Sequence, residues 1–189
     1  PQERAAILLA QRHNHPPLNR PTLGTAEGLT AATRQDLAAH WASRALPGGC
    51  ILGIAGAVEP ARTVEHLERL LGGWAGTPTP LTLGPSPTRG TRFHEPDASN
   101  QVQIFAAWDA PAERDPDSVL ERLAVAVLSG GSASRLFTEV REKRALCYAV
   151  SASYATDREY GRTTAYVGTT PERARESLDV LMREMRRIN

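Results

Sequence analysis

Residues 129–148 read SGGSASRLFTEVREKRALCY. Gly130 and Gly131 break the chain. Leu136, Phe137 and Val140 then recur at helical spacing, which predicts a helix opening at Ser132 or Ser134 with these three side chains buried. The helical pattern runs out after Lys143 and Arg144. From Cys147 the sequence alternates instead, as CYAVSASYA over 147–155. Arg141 is therefore placed on the last helical turn, and Tyr148 among the first residues of a strand. In that strand Tyr148, Val150, Ala152 and Tyr154 share one face, and Cys147, Ala149, Ser151 and Ser153 share the other. The expected packing puts the small residues beneath the helices and turns the tyrosines to the open side.

The neighbouring segments extend this pattern. RTTAYVGTT (162–170) is a second strand, joined to the first by the polar turn TDREYG. TTPERARESLDVLMREMRRI (169–188) is a helix with a predicted Thr169–Glu172 capping box and an apolar stripe of Ala174, Leu178, Leu181, Met182 and Met185. Upstream, DPDSVLERLAVAVLSGG (115–131) is a strongly apolar helix closed by glycine. NQVQIFAAWDA (100–110) alternates as a half-buried strand, and TRFHE (91–95) reads as a short one. EPARTVEHLERLLGGW (59–74) is a helix begun by Pro60 and ended by Gly72–Gly73, and GGCILGIAGAV (48–58) reads as a buried strand. TRQDLAAHWASRAL (33–46) is a helix capped by Thr33 with Asp36, its stripe being Leu37, Trp41 and Ala45, and PQERAAILLAQRH (1–13) is a short helix. Residues 75–90 are rich in Pro, Thr and Gly and read as a linker-like crossing within one domain. Hairpins mixed with helices give an α+β class, a two-layer sandwich with helices on one face of a mostly antiparallel sheet.

Composition removes several functions. The 22 basic residues against 21 acidic ones leave a net charge of +1, with no basic tract for nucleic acid. Lys143 is the only lysine. No apolar run is long enough for a membrane span, so no membrane partner is expected. No charged-then-apolar leader opens the chain, and the expected compartment is the cytoplasm, with the periplasm as the other candidate. Cys50 and Cys147 each fall in an apolar, strand-like stretch and read as two separate buried thiols. The histidines are 13, 15, 40, 66 and 94, so no pair stands four apart as a zinc-peptidase helix requires. His13–Asn14–His15 lies in a Pro-rich stretch and reads as solvated, and no metal site is expected. There is no dinucleotide or phosphate loop, and no serine elbow.

The segment LSGGSASRLFTEVREKRALCYAVSASY resembles the carboxy-terminal, non-zinc domain of the pitrilysin/insulinase zinc peptidases, peptidase family M16, in particular the bacterial members similar to the mitochondrial processing peptidases. Gly130, Gly131, Ser134, Arg135, Leu136, Phe137, Arg141, Glu142, Lys143, Arg144, Leu146, Tyr148 and Val150 carry the match. Residues 15–60, with LGT leading into the helix and the IAGAVEP strand end, and the final GTTPERARESLDVLMREM fit as well. Ala145 stands where the family commonly has Gly, and Cys147 where it has a small Ala. A residue at 145 that must turn the chain sharply would be better served by glycine.

The resemblance implies a LuxS/processing-peptidase-like metallohydrolase domain. It would span residues 1–189, with 1–30 as a lead-in and 31–189 as the core, as a piece of a longer chain. It implies that Arg141 and Tyr148 bind substrate, holding a peptide or unfolded protein beside the zinc of a homologous domain or subunit, within a dimer or a longer chain. It implies no catalytic residue and no metal ligand in this chain, which alone would be inactive as a metalloendopeptidase. The other implied role is a noncatalytic assembly or core-type subunit that keeps the fold without peptidase work. Physically, a guanidinium and a phenol suit the task. One is a permanently charged planar fork, the other a neutral donor on a rigid ring, and both can meet a developing oxyanion.

Overall fold

In the computed structural model, which describes residues 1–188, the predicted hairpin forms two strands of a three-stranded sheet. The described strands are β1 (Val102–Ala110), β2 (Ala149–Thr156) and β3 (Gly161–Thr169), in the order β1-β3-β2 and antiparallel throughout. The registers Ile104↔Val167 and Val150↔Val167 line up the apolar side chains of all three strands on one face. Against that face pack α5 (Ser118–Ser129), a π-helical turn (Phe137–Glu142) and α6 (Ala174–Arg186). Leu128, Leu136, Val140, Leu146, Ala165, Val167, Val180, Leu181 and Met185 form the core between the layers. The class is α+β, as expected. α1 (Gln2–His13) reaches β1 from its own direction: Asn14 Oδ1 accepts from Arg162 and Tyr160, and His13 Nε2 lies 3.3 Å from Asp109 Oδ1.

The face assignment of β2 is the reverse of the expected one. Val150, Ala152 and Tyr154 turn toward the helices, while Ala149, Ser151 and Ser153 are exposed. Burial decides this, because Val150 and Ala152 complete the apolar row set by Val167 and Ala165 across the ladder. Tyr154 can lie beneath the helices because its hydroxyl donates to the Pro111 carbonyl at 2.5 Å. The capping box at Thr169 is not formed either. Its hydroxyl donates instead to the Leu146 carbonyl, and a 3-10 turn (Pro171–Arg173) precedes α6. The buried face of α6 is consequently Ser177, Val180, Leu181, Glu184 and Met185, rotated from the expected stripe.

The chain divides into two compact units, Pro1–Pro21 with the chain from Gly84 onward, and Thr22–Leu83. The second unit carries α2 (Ala26–Ala31), α3 (Arg34–Arg44) and α4 (Pro60–Leu71). Its helix ends obey the sequence signals: Thr33 and Asp36 form a capping box, and Glu59 caps α4 ahead of Pro60. No residue from 22 to 83 is buried. The expected strand at 48–58 does not form: Ile51 is 97% exposed, no ladder partner lies beside it, and the Cys50 thiol is exposed where a buried one was expected. A strand needs a second chain segment for its hydrogen bonds, and an apolar run by itself does not supply one. TRFHE likewise forms no strand, and Phe93 packs under the Arg12 guanidinium, 3.6 Å from its ring centre.

Candidate functional site

The motif at 134–150 divides into a buried part and an exposed part. Arg135 ion-pairs with Glu184 on α6 at 3.0 Å, and Arg187 approaches the same carboxylate at 3.0 Å. Glu184 is 2% exposed, so the pair fastens the motif's helix to α6 in a site where an unpaired charge would be costly. Leu136 and Val140 anchor the same turn in the core.

The turn then widens. The Lys143 N–H donates to the Thr138 carbonyl five residues back, at 2.9 Å, which is π-helical geometry. Glu139 gathers two of the three nearby cations: Lys143 at 2.6 Å and Arg144 at 2.7 Å. Those two contacts hold its carboxyl down at about 2, well below its ordinary value. Arg141 is left outside this cluster. Its guanidinium lies 4.9 Å over the Phe137 ring, in an exposed position. Ala145 turns the chain with φ of +51°, the left-handed conformation expected of this position, and its carbonyl accepts from Arg173.

Past the turn the chain is pinned at two points. The Leu146 carbonyl accepts from Thr169 Oγ1 at 2.5 Å and Ser177 Oγ at 3.2 Å. The Tyr148 N–H donates to the Gly168 carbonyl at 2.8 Å. Between these pins Tyr148 forms a bend, and its side chain is 61% exposed. The strand alternation begins only at Ala149, which is why Tyr148 escapes the covered face of Val150 and Ala152. Among the described residues neither the Arg141 guanidinium nor the Tyr148 hydroxyl has a hydrogen-bonding or ion-pair partner. A cation and a phenol donor thus stand at the two sides of one hydrogen-bonded turn, both open to solvent.

Two residues at this end of the sheet were not singled out from the sequence. Tyr166 lies in β3, and its hydroxyl donates to Gln103 Oε1 on β1 at 2.7 Å. Burial raises its pKa first, with the Cys147 thiol adding to the effect. The Cys147 thiol is itself pushed up by burial, partly offset by the Arg141 charge. The available signal was Gly168, two residues beyond Tyr166 on the same strand face, since glycine inside a strand marks a close approach.

Among the described residues no three His, Cys, Asp or Glu side chains converge. His13 is buried, and His15 bonds the Gly84 carbonyl at 3.0 Å, so the HNH stretch is built into the fold and not solvated. No helix among the described residues is long and apolar enough to cross a membrane.

Comparison with known proteins follows the same lines. The sequence profile of the family described as "Peptidase M16 inactive domain" matches residues 31–189, across both compact units. A protein of Mycobacterium leprae named as an uncharacterized zinc protease is 29% identical over 189 residues, covering 93% of this chain and 40% of its own length. A Bacillus subtilis protein named in the same way is 27% identical, covering 86% of this chain and 40% of its own length. The chain thus spans about 40% of the relatives it matches. The crystal structure of a peptidase M16 inactive domain from Pseudomonas fluorescens superposes with a TM-score of 0.81 at 21% identity, over 99% of this chain and 46% of the other. A chain of complex III from Candida albicans does so at 0.79 and 17%, over 97% and 46%. These two likenesses concern the fold.

Proposed function

The chain belongs to peptidase family M16 through its inactive domain, and from that premise we propose that it is the substrate-holding, non-zinc part of a zinc metalloendopeptidase. In this reading Arg141 and Tyr148 grip an extended peptide or unfolded protein beside a zinc carried by a homologous domain or subunit. The zinc would supply the activation of water, and nothing in this chain takes part in that step. The chain's own share is binding and orientation.

The observation that supports the reading is the freedom of Arg141. Its basic neighbours Lys143 and Arg144 are tied to Glu139, and Arg135 is tied to Glu184. Arg141 alone of the four is exposed without an ion-pair partner among the described residues, its guanidinium over the Phe137 ring. Arginine never loses its charge near neutral pH, so it can meet a carbonyl on which negative charge develops at any working pH. Tyr148 adds a donor without adding charge, and the pinned backbone on both sides limits the reorganisation either group needs.

In the intact protease, Arg141→Ala is expected to lower kcat/KM by about 2–4 kcal/mol in transition-state stabilisation, the range for loss of one oxyanion donor. Tyr148→Phe is expected to cost about 1–2 kcal/mol, one neutral hydrogen bond. Peptide hydrolysis measured for both variants checks this. Unchanged kcat/KM in both would refute the assignment.

A further inference from the structure

The hydroxyl of Tyr166 occupies a place that only glycine could leave free. The β1–β3 register sets Phe105 opposite Tyr166 and Gln103 opposite Gly168. The two rings of Phe105 and Tyr166 pack with centroids 4.7 Å apart. The Tyr166 ring leans along its own strand, across Gly168, and its hydroxyl donates to Gln103 Oε1 at 2.7 Å. A Cβ at position 168 would lie 2.5 Å from the Tyr166 hydroxyl and 3.3 Å from Gln103 Oε1, too close for the first to remain where it is. Gln103 is held in turn, its Nε2 donating to Gln101 Oε1 at 3.2 Å.

Gly168 has a second duty. Its carbonyl accepts the Tyr148 N–H at 2.8 Å, the bond that fixes the bend where the exposed tyrosine stands. Tyr166 is 7% exposed, so its hydroxyl is sheltered and directional. A strand aromatic serving only the core would face the helices with Ala165 and Val167. Tyr166 is on the opposite face, where α5 and α6 do not pack, with its ring against Phe105 of β1.

We propose that Tyr166 is a positioning residue for substrate binding: clamped by Gln103 over Gly168, it fixes the peptide unit that aims Tyr148. The inference rests on the reading that Tyr148 contacts substrate. It assigns to the Tyr166–Gln103 hydrogen bond a role in kcat that burial alone would not give it. Tyr166→Phe keeps the ring and its packing and removes only the clamp.

The test is a double-mutant cycle in the intact protease, with kinetics on a peptide and urea unfolding for every variant. Tyr166→Phe is expected to lower kcat by about five-fold, the equivalent of one neutral hydrogen bond, with KM and the unfolding midpoint nearly unchanged. The double variant Tyr148→Phe/Tyr166→Phe is expected to be no slower than Tyr148→Phe alone, because the clamp acts only through Tyr148. Gln103→Glu, which keeps an acceptor for the phenol, is expected to retain activity, and Gln103→Leu to reproduce the loss. If Tyr148→Phe slows the enzyme and Tyr166→Phe multiplies that effect, or if the loss follows stability, the positioning role is overturned while the reading of Tyr148 stands. If Tyr148→Phe itself is silent, that reading fails and the inference falls with it.

Discussion

Arg135 and Arg141 sit six residues apart in one motif and meet opposite fates. Arg135 lies against a carboxylate that is almost wholly removed from solvent, while Arg141 extends into water over a single ring. The residues around Arg135 repeat the contrast: Leu136 and Val140 are fully buried, whereas Tyr148, beyond Arg141, is mostly exposed. The motif therefore has a part that builds the layer contact and a part that the layer contact presents. A side chain whose polar head is already satisfied has little left to offer a ligand. One held on a rigid turn with its head free can bind without first breaking anything.

The largest effect is expected in the buried part. Leu136→Ala removes a side chain with no exposed surface and should destabilise the domain by about 2–5 kcal/mol, read as a shift in the urea midpoint. A loss below 1 kcal/mol would mean that the motif's helix is held by something other than the core. At the junction of the two parts, Ala145 holds a left-handed conformation at φ +51°. That strain exceeds the extra chain entropy of glycine, so Ala145→Gly should stabilise by about 0.5–1 kcal/mol in the same assay. Destabilisation would show that the alanine methyl makes a contact worth more than the strain.

A smaller effect is expected at the end of α1. Burial, with the Arg89 charge next in importance, lowers the pKa of His13 below its ordinary 6.5, against the opposing pull of Asp109. His13 Nε2 is close to Asp109, but among the described residues it has no aligned hydrogen bond. The folded state thus prefers the neutral ring. Stability from this group is fully present above pH 6.5 and declines as pH falls below it. Amide exchange of α1 at pH 7.5 and pH 5.5 should show weaker protection at the lower pH, and His13→Gln should flatten the difference. Protection that rises on acidification would reverse the sign of the argument.

Much of this was legible in the sequence, and the exceptions have a common cause. Local signals placed the caps of α3 and α4, the glycine stop of α5 and the hairpin of β2 and β3, because each depends on residues within a few positions of one another. The strand proposed at 48–58 depends on a partner far away in the chain, and alternation or hydrophobicity cannot supply that partner. The face of β2 is not legible for a similar reason. The alternation of CYAVSASYA includes Tyr148, but the bend at that residue puts it outside the strand's period, which starts at Ala149. Thr169 had a good local partner in Glu172 and took a distant one, the Leu146 carbonyl. Arg141 and Tyr148 were named from the motif, whereas Tyr166 and Gln103 meet only through the register of β1 with β3.

The division of the motif is tested most directly by urea unfolding of Arg135→Ala and Arg141→Ala in parallel. Arg135→Ala removes one of two cations from buried Glu184 and is expected to cost about 1.5–3 kcal/mol, the range for hydrogen bonds to charged groups, with Arg187 still in place to limit the loss. Arg141→Ala, which gives up only an exposed contact with Phe137, is expected to stay within about 0.5 kcal/mol of the parent. Equal losses in the two variants, or a larger loss at Arg141, would contradict the division and make Arg141 part of the fold.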